Sequence, residues 1–339
     1  MPAHLSSLDG SSAFVLSNDD PFNLGHYMND VMGMWNMVAL SNHTARESVL
    51  LNIDGVRSGG PAGGPAHRIM LVHDPDTHGP FSELYFHKWF AEVQRGVDRP
   101  LKKVCYKSLY FFPQPGVPWF WNNWGRVDEC SVRSASPLYQ SFSVFLRQRL
   151  LDALGVSVSA LPSPPTDHTH VVIEMRQIRP EKKRNAHATA RVIANVRELA
   201  AALSAIPGVR VTVQDMAQLS FAEQVRLAHS ASVLLSMHGA GTTHIFHMAL
   251  GEKNCCGLVE LFPDTSVELH TAQGYGNLAR MLGLQHVRYV AERGATQAGG
   301  TTVDVQALRR LVEKMVGDIA RAPTCLLDAH DTEEKKHLQ

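Results

Sequence analysis

Five short runs rich in β-branched and aromatic residues punctuate the second half of the chain: HVVIEM at 170–175, VRVTVQD at 209–215, SVLLSMH at 232–238, GLVELFP at 257–263 and HVRYVAE at 286–292. Segments of helical periodicity separate them. Parallel strands need a long crossover, and an amphipathic helix makes that crossover while burying its apolar stripe on the sheet. The alternation therefore predicts an α/β class with a parallel sheet. Between the first two runs, Ile193, Val196, Leu199 and Leu203 recur at three- and four-residue spacing, which predicts one apolar helix face. Ser220 and Glu223 form an S-x-x-E capping box ahead of a further helix. From about Val303 to Ala320, a stripe of Leu308, Leu311, Val312, Met315 and Ile319 predicts a closing helix.

The first half is less regular. VLLNID at 49–54, HRIMLVHD at 67–74 and KKVCYKSLYFF at 102–112 read as strands, with helices expected near 26–40, 81–95 and 137–154, so a second α/β domain is expected there. The three prolines of LPSPPTDH at 161–168 can neither continue a helix nor supply a central strand. They mark the linker between an N-terminal domain at 1–163 and a C-terminal domain at 164–325, with a polar tail at 326–339. The Gly/Pro-rich run at 57–65 would leave too small an N-terminal core and reads as a surface loop.

Several function classes lose support on composition. Lys plus Arg and Asp plus Glu both total 32, so no excess of positive charge favours a nucleic-acid partner. The five cysteines contain no C-x-x-C pair, which removes a zinc ribbon or thioredoxin-like motif. No stretch approaches the roughly 20 apolar residues of a membrane span, and the first residues lack the basic-then-apolar pattern of a signal segment, so a soluble chain is expected. No G-x-S-x-G, H-E-x-x-H or P-loop motif occurs. Asp74-Pro75-Asp76 has D-x-D spacing but lies among turn formers, so no metal site and no cofactor are expected.

His238-Gly239-Ala240-Gly241-Thr242 follows a strongly apolar strand, at a strand-to-helix turn where backbone N–H groups can face an anion. The same glycines also suit mere close packing of helix on strand. Glu260, near the end of the next strand, can accept hydrogen bonds from ribose hydroxyls or serve as a cap or surface charge. Arg176 and Arg179 end the first strand of this half, where a guanidinium can neutralise a diphosphate or simply be solvated. All three features fall at the carboxyl edge of one sheet. In the first half, His26 and Asp30 are four apart, on one face of a helix, either as a general base held by a carboxylate or as a structural His with a capping Asp. The aromatic run at 119–124 reads as core at a domain interface, with sugar stacking as the alternative.

Together, NLGHYMND at 23–30, the arginine pair after VVIEM, and MHGAGTTHIFHMALG with VELFP resemble the family 61 glycosyltransferases in order and spacing over roughly residues 14–292. That group includes the plant core β-1,2-xylosyltransferase and O-linked N-acetylglucosaminyltransferases of the secretory pathway. The resemblance implies a GT-B fold, two Rossmann-like domains facing across a cleft, and metal-independent inverting transfer of N-acetylglucosamine or xylose from a UDP-sugar to a hydroxyl of a glycan or glycoprotein. It implies His26 or Asp30 as the base, and Asn23 and Gly25 at the acceptor or sugar. Arg176, Arg179 and residues 238–242 would lie at the diphosphate, and Glu260 at the ribose. It further implies an endoplasmic reticulum or Golgi lumen location, where the sequon Asn42-His43-Thr44 can be modified. Family members usually carry an anchor or signal segment, which this chain does not show, and Cys255-Cys256 lengthens the connection ahead of VELFP. Two other classes compete: a non-catalytic glycan- or nucleotide-sugar-binding protein on the same scaffold, and, more distantly, an NAD-dependent oxidoreductase, for which HGAGTTH lacks the third glycine.

Overall fold

The computed structural model describes residues 161–177, 189–252, 255–264 and 273–321, the helical residues Val132, Tyr139, Gln140 and Ser143, and the backbone of six strands between Ser6 and Phe111. The chain forms two compact units: Met1–Trp124 with Ser141–Ala160, and Gly125–Gln140 with Leu161–Gln339.

In the first unit, β2 (Ser12–Leu16), β3 (Arg68–Leu71), β4 (Glu92–Arg95) and β6 (Ser108–Phe111) form a parallel sheet in the order β4-β3-β2-β6. A short parallel pair joins β1 (Ser6–Ser7) to β5 (Val104–Cys105). Three expectations change here. The run at 102–112 is two strands with different partners, β1 and β2 were not anticipated, and β4 occupies the end of a segment expected to be helical. EVQR has a single apolar residue, Val93, which is compatible with either period, and pairing with β3 decides it. The strand expected at 49–54 and the helix expected at 26–40 lie outside the described residues.

The second unit is a five-stranded parallel sheet of β7 (Thr169–Glu174), β8 (Val209–Gln214), β9 (Val233–Met237), β10 (Gly257–Phe262) and β11 (Gln285–Val290), ordered β11-β10-β9-β7-β8. All five match the sequence pattern. Every residue of β7, β9 and β10 is buried, whereas β8 and β11, at the edges, are mostly half-buried. This gradient is why the inner strands read as unbroken apolar runs.

Side chains alternate across a sheet, so parity decides which layer each residue meets. Val171, Ile173, Val233, Leu235, Met237, Val259 and Leu261 share one core with Leu199 and Leu203 of α1 (Val196–Ser204) and with Leu308, Val312, Met315 and Ile319 of α4 (Val305–Arg321). Ile193 joins that core without belonging to α1; it forms an isolated parallel bridge to Thr301, so the helix begins later than its apolar spacing suggested. The other layer contains α2 (Phe221–Ser230) and α3 (Gly274–Leu282), which pack respectively against β7 and β11, with a 3-10 run at Ala240–His247 beside them. The capping box forms as expected: the Ser220 hydroxyl accepts from the Glu223 N–H while the Glu223 carboxylate accepts from the Ser220 N–H. Gly283 closes α3 in the left-handed conformation, φ 78°.

Leu235 lies on the central strand and is fully buried. Leu235→Ala should destabilise the fold by about 2–5 kcal/mol in urea unfolding followed by circular dichroism. A loss below about 1 kcal/mol would contradict its place in a close-packed core.

Candidate functional site

The strand order reverses direction of growth at β7: β8 lies to one side of it and β9, then β10 and β11, to the other. At such a switch point the crossovers leave β7 and β9 towards opposite faces, opening a crevice beyond their carboxyl ends. Arg176 follows β7 by two residues, and His238-Gly239-Ala240-Gly241 follows β9 directly. Position and motif therefore coincide.

Gly239 has φ +148°, in the region that favours glycine, and a Cβ built there would stand 2.8 Å from the Arg176 guanidinium and 2.9 Å from that of Arg191. A Cβ at Gly241 would overlap the Glu174 carboxyl. These glycines thus leave space for three ionisable side chains that converge on one turn. The turn continues as a 3-10 run rather than the α-helix expected. Its first bond, from Thr242 N–H to Gly239 O, spans 2.9 Å, and Ala240 and Gly241 precede it at the start, where N–H groups have no internal acceptor. Thr242 itself is a correction. It is fully buried, its N–H is taken by Gly239, and its hydroxyl lies 3.3 Å from Ser236 Oγ, so it faces inward rather than towards a diphosphate.

Arg191 was not anticipated, because it precedes α1 in a stretch with no motif. Its proximity to Arg176 arises only when the chain before α1 folds back over the β9 turn. Burial pushes the Arg191 pKa down, and the neighbouring charge of Arg176 adds to the effect. Arg176 is 27% exposed at the side chain, so this positive pair reaches solvent. His244, by contrast, is buried and is lowered to about 4 by burial, so it is neutral at pH 7 and adds no charge.

One row of polar residues runs across the whole sheet in register: Gln214 beside Glu174, Glu174 beside Ser236, Ser236 beside Glu260, and Glu260 beside Arg288. Glu174 is 5% and Glu260 1% exposed. The two carboxyls meet opposite surroundings. Burial alone would raise Glu260, but hydrogen bonds from His238 Nδ1 at 2.6 Å and His286 Nε2 at 3.0 Å, with the charge of those rings, hold it down to about 2. Glu174 is pushed up by burial and by Asp215, against the pull of Arg176 and of the Ser236 hydroxyl. Both oxygens of Glu260 are therefore occupied by histidines. The carboxylate expected at a ribose instead orients His238, whose ring stacks on Phe262 at 4.8 Å and meets Tyr275 edge-on at 5.5 Å. With Nδ1 on Glu260, the other nitrogen of His238 is the one left for a ligand. Arg288 lies over the other partner of that stack, 4.3 Å from the Phe262 ring centre.

Among the described residues, no group of three or more His, Cys, Asp and Glu is arranged to hold a metal ion, and no helix is long and apolar enough to cross a membrane. Asn23, Gly25, His26, Asp30, Arg179, the Asp74-Pro75-Asp76 run and the aromatic run at 119–124 lie outside the described residues.

A family model described as Glycosyltransferase 61 matches residues 24–255, a span that contains Arg176, Arg191 and the 238–242 turn, while Glu260 and His286 lie beyond it. The chain is similar to proteins named EGF domain-specific O-linked N-acetylglucosamine transferase. It is 28% identical to that of Xenopus laevis over 197 residues, 56% of this chain and 31% of the relative. To that of Gallus gallus it is 26% identical over 232 residues, and to that of Mus musculus 24% over 227, in each case 65% of this chain and 37% of the relative. The chain thus spans about a third of the length of the curated relatives it matches.

Glu260 contributes stability through a lowered pKa, so its contribution is complete above its ordinary 4.5 and fades as the pH falls towards 2. Glu260→Gln should cost about 3–5 kcal/mol at neutral pH, because it removes the buried partner of two half-buried histidines. The gap to the wild type should narrow progressively in acid. Equal unfolding midpoints for the two proteins at pH 7 would contradict the His–Glu–His arrangement.

Proposed function

The chain belongs to the glycosyltransferase 61 family, and on that premise we propose that it moves a sugar from a UDP-sugar to a hydroxyl of a glycan or glycoprotein, with inversion and without a metal. The observation that carries this reading is the meeting of the Arg176 and Arg191 guanidiniums over Gly239 at the switch point of the sheet. Two cations beside a glycine turn suit a diphosphate, which binds as two linked anions. His238, aligned by Glu260, and the N–H groups of Ala240 and Gly241 complete the phosphate contacts, and Arg179 follows Arg176 closely enough in sequence to join them.

In this reading the acceptor hydroxyl attacks the anomeric carbon from the side opposite the diphosphate, and the bond from that carbon to the diphosphate oxygen breaks. His26 or Asp30 takes the hydroxyl proton, and UDP leaves. Negative charge grows on the departing oxygen as the sugar acquires oxocarbenium character. Arg176 and Arg191 are fixed before the reaction starts, so their interaction strengthens as that charge develops and acts mainly on turnover. The same reading gives the protein a GT-B arrangement, an acceptor held by the N-terminal unit near Asn23 and Gly25, and a place in the endoplasmic reticulum or Golgi lumen. The named relatives make N-acetylglucosamine the first donor to try, with xylose second.

Arg176→Ala and Arg191→Ala should each lower turnover on the order of 10²-fold, a size typical of a lost electrostatic stabiliser. Transfer assays with UDP-N-acetylglucosamine and UDP-xylose, with folding checked by circular dichroism, measure it. Near-normal turnover in both folded variants would remove the arginine pair from the mechanism.

A further inference from the structure

Arg191 precedes α1 with no motif around it, and its hydrogen-bonded surroundings show what holds it beside Gly239. A turn closed by Val192 N–H on the Thr189 carbonyl, at 3.0 Å, presents the residue. Both carbonyls that flank Arg191 are held by one residue of a distant segment. The Thr301 hydroxyl donates to Ala190 O at 2.7 Å and the Thr301 N–H to Val192 O at 2.8 Å, while Ala194 N–H donates to Thr301 O at 2.9 Å. Thr301 is fully buried. Its single hydroxyl hydrogen is committed to Ala190, so the Thr296 hydroxyl, 2.8 Å away, is the donor between the two threonines.

Thr301 lies in β13 (Gly300–Thr301), which pairs antiparallel with β12 (Thr296–Gln297). That hairpin is itself tied to the sheet, because the Asp264 carboxylate, two residues beyond β10, accepts from the N–H groups of Gly294 and Thr296. Beyond Thr301, the Asn195 side chain and the Val303 backbone exchange two hydrogen bonds of 3.0 Å each. Gly300 has φ +124°, and a Cβ there would stand 2.5 Å from Val192 O, so only glycine lets the hairpin approach the 189–195 segment this closely.

We propose that Thr301 is a positioning residue of the anion site: by fixing the backbone on both sides of Arg191, it sets that guanidinium at the Gly239 turn. The role in binding rests on the nucleotide-sugar reading, whereas the anchoring does not. Because the anchor acts on the backbone, it is independent of the other partners the guanidinium takes. Without it, ordering the 189–195 segment would cost conformational entropy at each binding event.

Thr301→Val keeps the branched shape and removes the donor to Ala190. Hydrogen exchange read by mass spectrometry should quicken at 189–195 in this variant and not in β7 or β9, and unchanged exchange at 189–195 overturns the anchoring. Calorimetry with UDP reads the function, since UDP carries the charge that the departing oxygen acquires. The Kd should rise on the order of tenfold in Thr301→Val, recover in Thr301→Ser, and rise no further when Thr301→Val is added to Arg191→Ala. A purely structural threonine would shift the Kd equally in both backgrounds or in neither, and either result overturns the positioning role. If Thr301→Val does not fold, Thr296→Val, half-buried and removing only the hydroxyl that donates to Thr301, carries the same tests with a smaller expected change. If exchange quickens and the wild type does not bind UDP, the anchor stands and the nucleotide-sugar reading falls.

Discussion

Register between parallel strands places Glu174, Ser236, Glu260 and Arg288 side by side on β7, β9, β10 and β11, and much of the second unit is arranged around that row. A parallel sheet covered on both faces ordinarily fills such positions with aliphatic residues, because a buried charge without partners costs several kcal/mol. Here the odd-numbered residues of the same strands build the apolar core with α1 and α4. The even-numbered ones place their polar groups near the carboxyl ends, under the layer that includes α2 and α3. A slip of one residue in any of these strands would exchange the two sets, so the polar row also makes register expensive to misplace.

Partners then differentiate the two carboxyls. Glu260 gains two histidines and stays ionised, so its negative charge is spent on orienting His238 and His286. Glu174 gains a hydroxyl and a distant guanidinium, and burial favours its neutral form. Pushing two neighbouring carboxyls in opposite directions is a recurrent way to fix which groups carry charge in a site. Arg176, partly exposed, stands beyond the carboxyl end of β7, while both acidic residues of the row are buried.

The periodic part of this architecture was legible in the sequence. All five strands of the second unit, the Ser220 cap and the closing helix follow from two local signals, alternating strand and helix periods and a capping pair, which tertiary contacts reinforce rather than override. The site was legible in position more than in role. The glycine turn, Arg176 and Glu260 do gather at one sheet edge. Which way Glu260 and Thr242 face depends on the parity of residues 26 positions apart and on the neighbouring turn, and spacing within one segment carries no such information. Arg191 escaped for the same reason, because it approaches Gly239 across 48 positions of chain. EVQR at 92–95 was read as helix because four residues cannot separate a period of 2 from one of 3.6.

What the two arginines hold is the centre of this account, and a crystal structure of the protein with UDP bound tests it most directly. The diphosphate should lie within hydrogen-bond distance of both the Arg176 and Arg191 guanidiniums, against the backbone of Gly239 and Ala240. A structure at saturating UDP with the nucleotide bound elsewhere, or with these guanidiniums turned away from it, would contradict the account.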